Sequence, residues 1–182
     1  MANRLVIISD MWGAKKGQWI TSYLGYLQQY YKITFYDCPQ LADLNLTVES
    51  PENLQKAFME EGVDTAVAHL LKKEHKRSHY LAFGIGGTIA WKAALKGLPM
   101  KSIYAISSAG LRGEEQIPKK VDIKLLYGSN DEFKPSENWS NEIGVEMETV
   151  KNFGHSLYTD EKIIGKVSLE LLGKIMKKKS VA

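Results

Sequence analysis

The chain has 182 residues, of which 44% are hydrophobic and 25% are charged. This balance excludes a disordered chain and predicts a single domain over residues 1–182, with enough apolar surface for one core. The net charge is only +3, and part of the excess is a C-terminal cluster of lysines (Lys174, Lys177, Lys178 and Lys179). Such a cluster is typical of a solvated helix end beside the negative pole of the helix dipole, so we expect neither a nucleic acid nor a membrane as partner.

The single cysteine, Cys38, excludes an internal disulfide. No apolar stretch at the N-terminus extends beyond residues 5–8, so the sequence predicts a cytoplasmic protein without a signal peptide or a membrane span. Cys38 follows a predicted strand and has no sequence neighbour that would stabilise a thiolate. We therefore interpret it as a packed or exposed thiol rather than a nucleophile. The composition does not indicate an oligomeric state.

The first half of the chain predicts two strands and two helices. Residues 4–9 form a β-branched run that is typical of a central strand, and residues 32–36 alternate as a second strand. Between them, residues 18–31 predict a helix with an inner face of aromatic and apolar residues (Trp19, Tyr23, Tyr26, Leu27 and Tyr30). A polar loop over residues 39–51 then leads to one long helix over residues 52–76.

The second half continues the alternation. It predicts four more strands and two helices: strands at residues 78–83, 102–107, 121–127 and 144–150, a helix from Gly86-Gly87 to Gly97, and a closing helix over residues 159–177. With right-handed crossovers, this order predicts an α/β protein, a three-layer α/β/α structure around a six-stranded, mostly parallel sheet. Its site is expected at the carboxyl ends of the strands.

The most informative stretch is residues 80–91, where an apolar run leads into a glycine cluster and then into a helical pattern. This pattern predicts a strand, a tight turn and a helix. Aligned with the G-x-S-x-G elbow of serine hydrolases, Ala82 takes the first glycine, Gly84 the nucleophilic serine and Gly86 the last glycine. The pattern keeps the shape of the elbow but lacks its nucleophile.

Two later loops have residues that fit the other members of a catalytic triad. After the fifth strand, Gly128, Asp131 and Pro135 match a G-x-x-D-x-x-x-P segment, and after the sixth strand a Gly-His pair places His155. The order of nucleophile position, acid and histidine is that of an α/β hydrolase. The chain resembles this family over nearly its whole length, and most closely its small lidless members, typified by dienelactone hydrolase.

The resemblance implies roles for particular residues. Gly84 takes the nucleophile position, Asp131 the acid and His155 the base, and a pair of backbone N–H groups, from Ile85 and from Met11 or Trp12, would form the oxyanion hole. Many members carry His-Gly after the first strand, where this chain has Ser9-Asp10. The charge of Asp10 would oppose an oxyanion there, so we expect Asp10 to face solvent as a turn residue.

Glycine at position 84 makes covalent catalysis there impossible. Three nearby hydroxyls, on Ser9, Thr88 and Ser107, are better explained by capping and loop hydrogen bonds than by nucleophilic roles. A water activated by His155 is a slower route. A triad that lacks one member accelerates the reaction by only ~10³ to 10⁴ over the uncatalysed reaction in water.

Several functions follow from these patterns. The first is a protein of the carboxylic-ester hydrolase type that is inactive or weakly active as it stands. The alternatives are a small-molecule binding protein that uses the same cleft, or an active serine hydrolase if Gly84 is an engineered change. A dinucleotide-binding G-x-G-x-x-G turn is disfavoured because its third glycine falls on Ile89. We expect no cofactor and no metal, and the ligand would be partly apolar if the cleft is lined by nearby aromatic residues (Trp12, Trp91, Phe133 and Tyr158).

Overall fold

In the computed structural model, which describes the backbone of residues 3–179 and the side chains of residues 3–176, six strands form one sheet. The strands are β1 (Asn3–Ile8), β2 (Tyr31–Tyr36), β3 (Ser78–Phe83), β4 (Met100–Ile106), β5 (Asp122–Gly128) and β6 (Glu146–Val150). They are all parallel, in the order β2-β1-β3-β4-β5-β6. The prediction of a three-layer α/β/α fold with a six-stranded sheet is confirmed.

Helices cover both faces of the sheet. They are α1 (Trp19–Leu27), α2 (Cys38–Leu41), α3 (Pro51–Ala57), α4 (Val63–Lys73), α5 (Ile85–Leu95), α6 (Glu137–Ile143) and α7 (Glu161–Lys179). No helix within residues 3–179 combines the length and the apolar character needed to cross a membrane.

The core is divided in two by the sheet, because successive strand residues point to opposite faces. On β3, Tyr80 and Ala82 pack with α4 and α5, whereas Leu81 and Phe83 pack with α1 and α7. All four side chains are fully buried. A strand buried on both faces needs a continuous apolar run, which is why the pattern over residues 78–83 identifies β3 correctly.

The predicted inner face of α1 is wrong at two positions. Trp19, Tyr23 and Leu27 pack against the core, but Tyr26 and Tyr30 are 45% and 55% exposed. The helix ends at Leu27, so Tyr30 falls in the turn before β2 rather than on the helix face.

The long helix predicted over residues 52–76 is present as a continuous helical segment over residues 51–73, but it is not α-helical throughout. It consists of α3 and α4, joined by a π-helical turn, Phe58–Gly62. It ends at Lys73, because the next residue, Glu74, is extended and its buried carboxylate accepts hydrogen bonds from Arg4 and Tyr36 at 2.9 and 2.8 Å. The predicted loop over residues 39–51 contains most of α2, which Asp37 caps by accepting from the Gln40 N–H.

The closing helix α7 carries part of the predicted lysine cluster. Lys174 Nζ lies 2.7 Å from Asp122 Oδ2, which links α7 to the start of β5. The other members, Lys177, Lys178 and Lys179, have side chains outside the described residues.

Candidate functional site

The turn between β3 and α5 has the sharp geometry that the glycine cluster predicts. Gly84 has φ +52° and ψ −125°, its N–H donates to the Ile106 carbonyl at 2.9 Å, and α5 begins at the next residue. Gly86 lies so close to β1 that a Cβ there would collide with the Ser9 carbonyl oxygen. A strand can turn this abruptly into a helix because both positions lack a side chain.

Asp131 and His155 come from the loops that follow β5 and β6, and the structure brings them together. His155 Nδ1 lies 3.2 Å from each carboxylate oxygen of Asp131, at the long end of the 2.6–3.2 Å expected for a triad. His155 begins a 3₁₀ turn, His155–Thr159. The loops that carry Asp131 and His155 lie close together because Gly128 packs directly against the backbone of Phe153 and Gly154.

The Asp131 carboxylate is held in its charged form. Burial raises its pKa, but the hydrogen bond from His155 and the hydrogen bond from the Phe133 N–H outweigh this, and the pKa lies below its usual value. The buried Ser107 hydroxyl makes no hydrogen bond of normal geometry among the described residues, yet it lies near enough to help lower that pKa. A charged Asp131 favours the proton of a neutral His155 on Nδ1, which leaves a lone pair on Nε2.

That lone pair faces the nucleophile position. A Cβ built on Gly84 would lie 3.9 Å from His155 Nε2, and 3.4 Å from the Cβ of Asp10. A hydroxyl one bond beyond such a Cβ would be within hydrogen-bonding reach of Nε2. In the described part of the chain Nε2 makes no hydrogen bond.

Of the three backbone N–H groups expected as oxyanion-hole donors, two make no hydrogen bond among the described residues and one does. The Trp12 N–H donates to Asp10 Oδ1 at 3.0 Å and is therefore not free for a ligand. The N–H groups of Met11 and Ile85 donate to no acceptor among the described residues, and both residues line the cavity above Gly84.

The expectation that Asp10 faces solvent is wrong. Asp10 is only 6% exposed and lines the site beside Gly84. Its Oδ2 accepts a hydrogen bond from the Tyr158 hydroxyl at 3.0 Å, which ties the loop after β1 to the turn that carries His155. Burial raises the pKa of Asp10, against the lowering effects of these hydrogen bonds and of nearby His155. No pattern near Asp10 in the sequence indicates this, because the partner of its carboxylate, Tyr158, lies far along the chain.

Of the other hydroxyls considered as nucleophiles, those of Thr88 and Ser9 have bonding roles within the fold, whereas the expected loop hydrogen bond of Ser107 is not found among the described residues. Thr88 Oγ1 donates to the Ala109 carbonyl, and Ser9 Oγ donates to the Asp10 carbonyl and accepts from the Cys38 N–H. Cys38 is buried, and burial raises the pKa of its thiol. As predicted, Cys38 is a packed thiol, and its Sγ contacts the Ser9 carbonyl at 2.9 Å.

Above Gly84 and His155 lies a cavity of about 580 Å³. Three of the four aromatic residues named from the sequence line it, namely Trp12, Phe133 and Tyr158. The fourth, Trp91, is fully buried in the core, where its Nε1 donates to the Gln116 carbonyl at 3.2 Å.

Sequence reasoning missed the residues that the π-helical turn brings to the cavity, Phe58 and Met59. A signal was present: buried apolar residues follow each other by four positions from Leu54 to Phe58, but by five from Phe58 to Val63. The extra residue marks the place where the helix widens, and such turns are frequent at functional sites.

No protein-family model and no curated protein matches the chain. Solved structures do match. Alpha/beta hydrolase domain-containing protein 10 from mouse is similar with a TM-score of 0.68 at 12% identity, over 97% of this chain and 91% of that chain. A putative dienelactone hydrolase from Klebsiella pneumoniae is similar with a TM-score of 0.65 at 14% identity, over 94% and 85%.

A predicted CIB-like hydrolase from Thermoplasma acidophilum is similar with a TM-score of 0.59 at 17% identity, over 93% of this chain and 86% of that chain. At these identities the similarity shows the fold. The chain has the α/β-hydrolase fold.

Proposed function

We propose that the chain is an α/β-hydrolase-fold protein of the carboxylic-ester hydrolase type that is inactive or very weakly active as it stands, because Gly84 supplies no nucleophile. The observation that supports this is the position of His155 Nε2, 3.9 Å from where a Cβ on residue 84 would lie. With Asp131 behind it and the free N–H groups of Met11 and Ile85 nearby, the base is poised for a hydroxyl that Gly84 does not supply.

Ester hydrolysis by the chain as it stands is expected to be weak or absent. His155 has only water to activate. A triad without its nucleophile retains a rate enhancement of ~10³ to 10⁴ over the reaction in water, through substrate binding and the oxyanion hole. Asp10 weakens this remainder whenever it is charged, because it lies beside the place where an oxyanion would form.

Binding of a small molecule in the cavity is a second function of the same site. A volume of about 580 Å³ lies within the ~300–1,000 Å³ that is usual for small-molecule pockets, and aromatic side chains line it. Since the polar groups beside Gly84 are the His155 base, the Asp10 carboxyl group and two backbone donors, the ligand that fits best is a mostly apolar compound with one carbonyl group.

A comparison of three proteins tests the proposal: the chain itself, Gly84→Ser and Gly84→Ala. We expect Gly84→Ser to hydrolyse p-nitrophenyl acetate at least about 10²-fold faster than the other two, because only this variant places a hydroxyl beside His155. Gly84→Ala is the matched control, since it adds the same Cβ without the oxygen. Equal rates for the serine and alanine variants would mean that Asp131, His155 and the backbone donors do not form a working hydrolase site.

A further inference from the structure

The site holds a base that has no proton of the protein to take. His155 Nε2 faces the cavity, makes no hydrogen bond among the described residues, and is oriented from behind by the charged Asp131. In a serine hydrolase this nitrogen would be occupied by the nucleophile's hydroxyl. Here any proton that His155 takes must come from water or from the bound molecule itself.

A carboxyl group also lies beside Gly84. Asp10 lines the cavity, and its Cβ lies 3.4 Å from the position of a Cβ on Gly84, as His155 Nε2 lies 3.9 Å from it. Its carboxyl group is fixed by two donors, the Trp12 N–H and the Tyr158 hydroxyl, each at 3.0 Å. Burial raises the pKa of Asp10 above its usual value, against the lowering effects of these two hydrogen bonds and of His155.

We propose that His155 and Asp10 act as base and acid on a bound carbonyl compound and convert it to its enol. In this step the bond between the α-carbon and its hydrogen breaks, and the proton goes to His155 Nε2. The electron pair of that bond forms the carbon–carbon double bond, and the carbonyl π pair moves to oxygen, which takes the proton of Asp10. Reversal of the step restores the carbonyl compound and both residues.

The surroundings suit this chemistry. Enolisation needs a base, a donor to the oxygen and no nucleophile, and the free N–H groups of Met11 and Ile85 are further donors to the oxygen. The His155 side chain is 35% exposed, which gives a proton on Nε2 access to exchange with solvent. The proposal rests on the proposed function in one respect, because it uses the same cavity for a carbonyl ligand.

The experiment follows the α-protons of phenylacetone in D₂O by proton NMR, with the intact chain at neutral pD. We expect the chain to replace these protons with deuterium faster than buffer does. His155→Gln is expected to lose about 10²-fold or more of the protein-dependent rate, and Asp10→Asn about tenfold or more, because acid–base groups typically contribute ~10²–10⁴. Circular dichroism of each variant checks that it is folded.

The chain offers a matched control for the histidine. His69 has a side chain that is 34% exposed and lies 3.7 Å from an aspartate, Asp43, but it is on α4, outside the cavity. His69→Gln should exchange at the rate of the unchanged chain, and so should Asp64→Asn, which alters an exposed aspartate of the same helix.

A chain that exchanges no faster than buffer, or equal rates for His155→Gln and His69→Gln, would overturn the proposal. Saturation-transfer NMR on the same samples shows separately whether phenylacetone binds. Binding without exchange removes the enolisation step and leaves the proposed ligand class standing, whereas the absence of both removes the two together.

Discussion

Gly84 is the residue on which the function of the site depends, and its backbone explains why glycine is tolerated there. At φ +52° and ψ −125° a residue with a Cβ is strained, and strain of this kind costs about 1–3 kcal/mol. Glycine adopts positive φ without that cost. A glycine at this position therefore supplies no nucleophile and carries no backbone strain.

We predict that Gly84→Ala lowers the free energy of unfolding by about 1–3 kcal/mol. The reason is backbone strain and not a clash, since the nearest atom to the new Cβ, the Asp10 Cβ, is at 3.4 Å. Denaturant melts give the measurement. Gly113→Ala is the control, because Gly113 has open space around it and no positive φ, and its effect should be within about 0.5 kcal/mol. Unchanged stability of Gly84→Ala would show that residue 84 is not strained.

Single residues also mark the limit of what the sequence could predict at the site. Asp131, His155 and Gly84 were identified because each lies in a short motif whose spacing depends only on its own loop. Asp10 was misplaced because its position depends on Tyr158, which is 148 residues away and whose hydroxyl draws the carboxylate into the site. A contact of this range leaves no local pattern.

Among the elements, α7 is attached to the sheet by a network of charged side chains. Glu170 accepts hydrogen bonds from Lys124, Lys166 and Tyr104 at 2.8, 2.6 and 2.7 Å. Burial raises the pKa of Glu170, but these hydrogen bonds outweigh it and lower the pKa from 4.5 to about 2. The turn that carries His155 leads directly into α7, so this network also supports the site.

We predict that Glu170→Gln lowers the free energy of unfolding by about 1 kcal/mol at neutral pH, since the group is partly exposed and solvent screens its ion pairs. A carboxylate whose pKa is depressed by folding stabilises the protein fully above its unfolded pKa and loses this effect as the pH falls. The difference between the two proteins should therefore be constant above about pH 5 and shrink as the pH falls towards 2.

The measurement is a series of urea melts at several pH values. Glu142→Gln is the control, because Glu142 is exposed and forms no ion pair in the described part of the chain. If the difference in free energy of unfolding between Glu170→Gln and the unchanged chain stayed the same down to pH 2, the charge of Glu170 would not be what stabilises α7.

The sequence predicted the strands better than the helix boundaries, for a physical reason. β1 and β3 are buried on both faces and need continuous apolar runs, which are visible without any knowledge of their neighbours. The end of α1 and the π-helical turn depend on packing against other elements. The exposure of Tyr26 on α1 and of Tyr30 in the turn after it was therefore not predicted, and neither was the π-helical turn that begins at Phe58.

At the scale of the whole molecule, parallel pairing decides where the site forms. All five strand pairs run in the same direction, so the turns after β1, β3, β5 and β6 meet at one edge of the sheet. This brings together Gly84, Asp131 and His155 from loops that are far apart in sequence. The fold could be predicted because it follows from the alternation of strands and helices along the chain. The ligand could not be predicted, because the cavity is lined by side chains from many separate segments.

We propose that His155 and the N–H groups of Met11 and Ile85 form a hydrolase-like site that makes no covalent intermediate in the unchanged chain. The most direct measurement is intact mass after incubation with a fluorophosphonate, for the chain, Gly84→Ser and Gly84→Ala. We expect one adduct, on residue 84, in the serine variant alone, because only there does a hydroxyl lie beside His155. An adduct on any serine or threonine of the unchanged chain would contradict the absence of a nucleophile. No adduct on Gly84→Ser would contradict the placing of the base and the donors around residue 84.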